Sequence, residues 1–257
     1  MEIRRHISRG FEVPVEIRGS SAETLVFLPG LGVPPDHYAD GLCPLVERFT
    51  VIVPDLSFRR GRSLPASTTD YLDLLTAMTD DLAPDAVWAG HSFGALLALL
   101  SRRPAIACAP SVPVEAGVPR MFGRAVHQQV REYAGLEGWR GLRFAASIAV
   151  DYVGTAALRP GALFPVLQSL RVPPETFPPR SPRAVVYLSD RDELYREREY
   201  RRYFDGAHEE IEEVRVPDCH DWPVLRPDLL ATRLEKAFDR LRGPAQAARP
   251  TRLLAEG

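Results

Sequence analysis

Gly90-His91-Ser92-Phe93-Gly94 sets one hydroxyl between two glycines. The residues before it (86–89) read as a buried strand, and those after it (95–101) as an apolar helix. A serine on a sharp strand-to-helix turn is held in strained backbone geometry that lifts its hydroxyl clear of the sheet. Glycines on either side leave room where a Cβ would strike neighbouring backbone. A helix beginning at Phe93 also points its free N–H groups and positive dipole end at the reacting oxygen. The chemistry implied is attack of Ser92 on an electrophilic carbon. A plain tight turn with a solvated serine would need neither flank.

A serine hydroxyl becomes a useful nucleophile only when a base takes its proton, and histidine is the natural base near neutral pH. Six histidines are present. His6 and His37 precede the turn, and His91 is inside it. His127 lies in a mid-chain helical block, His208 just before a strand, and His220 after the last strand in Val216-Pro217-Asp218-Cys219-His220-Asp221-Trp222-Pro223. Loops at the carboxyl ends of parallel strands build the sites of such sheets, which favours His220. A metal site at Cys219-His220-Asp221 is disfavoured, because adjacent residues seldom converge on one ion.

The imidazole needs a carboxylate behind it. The loop Ser189-Asp190-Arg191-Asp192-Glu193, after the strand at 184–188, offers Asp190 and Asp192. Asp192 lies deeper in the loop and is favoured to turn back over the sheet. The preceding strand end, Ala107-Cys108-Ala109-Pro110-Ser111, has no carboxylate to offer. A developing oxyanion needs two N–H donors. One is expected from Phe93, and the other from Leu31 in the strand-end turn Pro29-Gly30-Leu31-Gly32.

These residues require a rigid frame. Alternating runs at 2–8 and 11–17 flank Arg9-Gly10 and predict a hairpin. Strands are expected at 24–28, 50–53, 86–89, 105–109, 184–188 and 211–216. Helices are expected near 36–48, 68–82, 95–101, 194–204 and 229–241. The alternation predicts an α/β fold with a mostly parallel central sheet and helices on both faces. Residues 113–177 break the pattern. They read as an inserted helical cap, with helices near 120–133, 141–152 and 162–170 and a proline-rich exit. The core is then 1–112 and 178–242, and 243–257 reads as a frayed tail.

Composition excludes several classes. The chain has 257 residues, 45% hydrophobic and 26% charged, which suits one large soluble core. Its net charge of -2 offers no basic field for nucleic acid. No apolar run follows the charged N-terminus and none is long enough to span a bilayer, so neither a secretory signal nor a membrane partner is expected. Three sparse cysteines, Cys43, Cys108 and Cys219, argue for reduced thiols and a cytoplasmic setting.

Taken together, the Gly90–Gly94 elbow, Leu28-Pro29-Gly30-Leu31-Gly32, Ser189-x-x-Asp192 and His220-Asp221-Trp222-Pro223 resemble the α/β-hydrolase superfamily, in its chain order Ser, Asp, His. The resemblance covers most of residues 11–242 outside the cap. It implies acyl transfer by a triad of Ser92, His220 and Asp192, a site between cap and core, and no cofactor. The acid usually stands at the fourth position of the family's Gly-x-x-Asp-like block, which supports Asp192.

Two departures are visible. Pro29 stands where the family's oxyanion turn usually has histidine. The stretch Asp55 to Ser63 carries one extra residue and an arginine where the family's block has its first glycine. Arg59 and Arg60 there could meet an acidic substrate, although a solvated surface is the commoner fate. The expected substrate is a small or medium, partly apolar carboxylic ester. Thioesterase, lactonase or C–C hydrolase activity, cofactor-free haloperoxidase-like activity, and a slow or non-catalytic ligand-binding protein on the same fold remain open. Phe122, Tyr133, Trp139, Phe144, Tyr152 and Phe164 of the cap would line a pocket or pack it on the core. The oligomeric state is left open.

Overall fold

A computed structural model describes residues 2–8, 10–57, 65–114, 124, 146, 176–205 and 210–246. The expected cap lies almost wholly outside the described residues. So do its aromatic residues, His127, His208, Arg59 and Arg60, and residues 247–257 of the expected tail.

Eight strands form one sheet: β1 (Glu2–Ser8), β2 (Phe11–Arg18), β3 (Thr24–Leu28), β4 (Thr50–Pro54), β5 (Val87–His91), β6 (Ala105–Cys108), β7 (Ala184–Ser189) and β8 (Ile211–Val216). Their spatial order is β1-β2-β4-β3-β5-β6-β7-β8. The hairpin β1–β2 is antiparallel, as is the β2–β4 pair. Every other neighbour is parallel, which is the mostly parallel α/β sheet expected.

The strands alternate between two apolar faces. Val26 and Leu28 of β3, Trp88 of β5 and Val186 of β7 face one core with α2 (Thr68–Leu82) and α3 (Phe93–Leu100). Leu25 and Phe27, Val87 and Ala89, and Val185 and Tyr187 face the other, with α1 (Ala39–Leu42) and the long terminal helix. Helix α2 begins where Ser67 Oγ accepts the Asp70 N–H at 3.1 Å, a cap of the kind worth about 1 kcal/mol.

Three helices differ from expectation. The continuous helix sought near 36–48 is a 3-10 turn (Pro35–Tyr38), the four-residue α1, and a second 3-10 turn (Cys43–Glu47). Pro44 is the reason: it has no N–H to donate, and its ring would crowd the carbonyl four residues earlier. The helix expected from 194 starts later, as α4 (Glu197–Phe204). The N–H groups of Leu194 and Tyr195 both go to Asp192 Oδ1 instead, at 2.9 Å each. After the short α5 (Trp222–Leu225), α6 runs from Pro227 to Gln246 with a kink at Gly243 (φ 63°). Gly243 (φ 63°, ψ 166°) breaks the helical geometry where the tail was expected to begin, and residues 244–246 lie beyond that kink.

Candidate active site

Strand β5 ends at His91, and Ser92 caps α3 at φ 52°, ψ −115°. That lies outside the regions open to an unstrained L-residue. Only Ser92 and Ala109 take positive φ without being glycine, among the described residues. Packing enforces the turn. A Cβ on Gly90 would lie 2.4 Å from the Gly94 carbonyl carbon, and one on Gly94 would lie 2.1 Å from the Leu28 oxygen. Ser92 N–H donates to Cys108 O at 3.1 Å, fixing the elbow to the end of β6.

Ser92 Oγ lies 2.9 Å from His220 Nε2, and His220 Nδ1 lies 2.8 Å from Asp192 Oδ2. The structure therefore brings together the serine, histidine and aspartate picked from sequence. The His220 and Asp192 side chains are 3% and 1% exposed, so water competes little for their bond. Asp192 is held by four donors: the Leu194 and Tyr195 N–H groups on Oδ1, and His220 Nδ1 and Tyr200 Oη (2.6 Å) on Oδ2. Asp190 is exposed and approaches Arg215 at 3.9 Å, away from His220.

The turn after β3 sits beside the elbow because Leu28 pairs with Gly90 across the sheet. Leu31 and Phe93, the two expected N–H donors, are both buried. His6 and His37 take no part: His6, on β1, lies 3.8 Å from Asp81, and His37 is in the first 3-10 turn.

Sequence reading passed over three groups here. His91 is wholly buried, with Nδ1 2.8 Å from Tyr38 Oη and Nε2 3.1 Å from the His220 carbonyl. Burial, then the neighbouring His220, hold its pKa well below the ordinary value, against the backbone hydrogen bond to His220. Ser111, set aside because it is no carboxylate, has its Oγ 3.0 Å from Ser92 Oγ. Tyr195 packs its ring 5.7 Å from that of His220. Only the local signal of a polar residue at a strand end pointed to Ser111. Arg124 reaches the Leu194 carbonyl at 3.2 Å and Glu199 at 3.0 Å, beside the loop of Asp192.

His91, His220 and Asp221 bring ligand-type atoms within 4.8 Å of one another. Both His220 nitrogens are already bonded, to Ser92 and Asp192, and His91 Nε2 to a carbonyl. A cation there would have to break those bonds, so the donor set fits an ion poorly. The three cysteines are free thiols. Among the described residues, no helix is long and apolar enough to cross a membrane.

A family model described as "Alpha/beta hydrolase family" matches residues 25–233. No curated protein sequence gives a significant match. Among solved structures, a thermophilic esterase from Thermogutta terrifontis superposes with a TM-score of 0.67 at 15% identity, covering 95% of this chain and 100% of that one. The enol-lactonase from Burkholderia xenovorans LB400 gives 0.67 at 18% identity, with 91% and 98% covered. A thioesterase domain from the curacin biosynthetic pathway gives 0.60 at 15%, with 90% and 98% covered.

Proposed function

Because the chain belongs to the α/β-hydrolase family, we propose that it is a serine hydrolase working by acyl transfer on small or medium, partly apolar carboxylic esters. One observation carries this reading: a strained Ser92 whose Oγ is 2.9 Å from His220 Nε2, with Asp192 2.8 Å behind the ring.

In the proposed cycle Ser92 Oγ attacks the ester carbonyl carbon while its proton passes to His220 Nε2. The Leu31 and Phe93 N–H groups hold the oxyanion. Collapse breaks the carbon–oxygen bond, and the alcohol leaves with the proton from His220. Water, deprotonated by His220, then attacks the acyl-enzyme, and Ser92 departs with that proton. Asp192 keeps the ring in the required tautomer and stabilises its cation. The structural neighbours include an esterase, a lactonase and a thioesterase domain, as well as epoxide hydrolases. A serine rather than an aspartate at position 92 favours carbonyl chemistry over epoxide opening.

The test is a fluorophosphonate probe followed by nitrophenyl esters of rising chain length, with a thioester and a lactone as comparators. Labelling at Ser92, and ester turnover that falls about a million-fold in Ser92→Ala, are expected. A folded protein that ignores probe and esters alike overturns the reading in favour of ligand binding.

A further inference from the structure

The loop after β6 brings a second hydroxyl onto the nucleophile. Ala109 takes φ 44°, one of the two positive-φ non-glycine positions among the described residues, and the other is Ser92 itself. Such strain persists only where the surroundings enforce it. Here Ala109 N–H is tied to Tyr187 O at 2.8 Å, and Ser111 N–H donates to Ser92 O at 3.0 Å. The chain is thereby turned so that Ser111, 4% exposed, sets its Oγ 3.0 Å from Ser92 Oγ. Tyr195, 5% exposed, lies in the loop that Asp192 organises and packs its ring 5.7 Å from that of His220.

The direction of these bonds follows from counting protons. Asp192 accepts from two backbone N–H groups and from Tyr200, so it is the acceptor for His220 Nδ1 as well. Nδ1 then carries the ring proton and Nε2 is bare. Ser92 spends its single proton on Nε2. In the contact between the two serines, Ser111 must therefore be the donor. One chain results: Ser111 to Ser92 to His220 to Asp192.

We propose that Ser111 is a further catalytic residue of this site: a fixed donor to Ser92 Oγ that favours departure of Ser92 from its acyl ester. This rests on Ser92 being the nucleophile. In deacylation, water adds to the acyl carbon and His220 takes its proton. The carbon–Oγ bond then breaks, its electron pair stays on Oγ, and the proton on His220 Nε2 moves to Oγ. Ser111 keeps its own proton throughout and donates only a hydrogen bond, strongest when Oγ bears most charge. A donor on the leaving oxygen speeds departure. The same donor on the attacking oxygen lowers its electron density, so attack gains less.

The experiment follows acyl-Ser92 formation and decay by intact-protein mass after a pulse of nitrophenyl acetate, beside the rate of fluorophosphonate labelling. The variants are Ser111→Ala and Ser111→Thr. In Ser111→Ala, acyl-enzyme decay is expected to slow about 10- to 100-fold, the worth of one hydrogen bond to a charged atom. Labelling should change no more than a few-fold, so acyl-enzyme accumulates. Ser111→Thr, which keeps the hydroxyl, restores decay. Equal loss of formation and decay in folded Ser111→Ala, or no loss in either, overturns the proposal while leaving Ser92 as nucleophile. Absence of labelling in the unaltered protein overturns both.

Discussion

Tyr38 donates its phenolic proton to His91 Nδ1 across 2.8 Å, and that bond joins the first 3-10 turn to the end of β5. The direction is fixed from the far side of the ring. The His220 carbonyl can only accept, so the 3.1 Å contact requires a proton on His91 Nε2 and leaves Nδ1 bare. The Tyr38 oxygen in turn accepts the Gly30 N–H at 3.1 Å. The segment that presents Leu31 and the segment that presents His220 are thus held at a set separation through two buried side chains.

Tyr38→Phe tests this link. The ring still packs on Phe27, whose centroid is 4.9 Å away, so shape is kept. The Gly30 N–H and His91 Nδ1 lose their shared partner. Stability should fall by about 1–3 kcal/mol, the usual cost of leaving buried polar groups unpaired. Ester kcat should fall further than KM rises, since the change loosens geometry needed at the transition state. Urea unfolding and steady-state kinetics measure the two effects. A variant as stable and as fast as the parent would show the link to be idle.

His91 also sets a pH dependence of stability. Burial first, and the neighbouring His220 second, hold its folded pKa well below the ordinary 6.5. Tyr38 and Asp221, whose Oδ1 lies 3.7 Å from Nε2, are its other polar neighbours. The unfolded chain takes up a proton at the ordinary value and the folded chain does not. The contribution is therefore fully present above about pH 6.5 and is lost as pH falls below it, with a slope of up to one proton. Urea midpoints measured from about pH 8 down to about pH 5 should fall on the acid side. His91→Asn, compared with its own value at neutral pH, should flatten that limb. An unchanged limb would assign it to other groups.

How much of this was legible in sequence depended on the range of the interaction. Ser92 was readable because a local turn dictates its neighbours: glycine at 90 and 94, a strand before and a helix after. His220 was readable from a strand end once the elbow was in view, since a parallel sheet collects those ends on one edge. The loop after β7 offered both Asp190 and Asp192, and depth in the loop together with the family pattern favoured Asp192. Ser111 and His91 were not readable. Their roles depend on which side chain they meet across the fold, 19 residues away for Ser111 and Ser92, and 53 for His91 and Tyr38. The helix expected near 36–48 is interrupted for a local reason, Pro44, which is visible in the sequence itself.

The elbow's glycines differ from others in the chain by what surrounds them. Gly94→Ala would press a Cβ within 2.1 Å of the Leu28 oxygen and 2.5 Å of the Pro29 oxygen, both main chain. Relief requires α3 to move off β3 and carry Ser92 with it. The expected cost exceeds the roughly 1–3 kcal/mol typical of overpacking, and labelling by fluorophosphonate should be lost with it. Gly10→Ala is the control. Gly10 has φ +80° but no atom within 4 Å, so only the left-handed backbone penalty of about 1–2 kcal/mol applies. Thermal unfolding should rank the two variants in that order, and only Gly94→Ala should lose labelling.

Asp192 and Tyr200 separate charge from orientation. Tyr200 Oη donates to the same carboxylate oxygen that faces His220, at 2.6 Å against 2.8 Å. Burial, and then the charge of Asp192, raise the Tyr200 pKa far above 10, so it remains a neutral donor at any working pH. Asp192→Asn replaces one oxygen by a donor and removes the charge that stabilises the His220 cation. A fall in kcat of about ten-thousand-fold is expected, with the fold retained. Tyr200→Phe keeps the charge and leaves the Leu194 and Tyr195 N–H groups gripping the other oxygen. Its kcat should fall only about tenfold, the worth of one hydrogen bond. If Tyr200→Phe instead matched Asp192→Asn at equal stability, position rather than charge would be what Asp192 contributes, and the two backbone N–H groups would be insufficient to fix it.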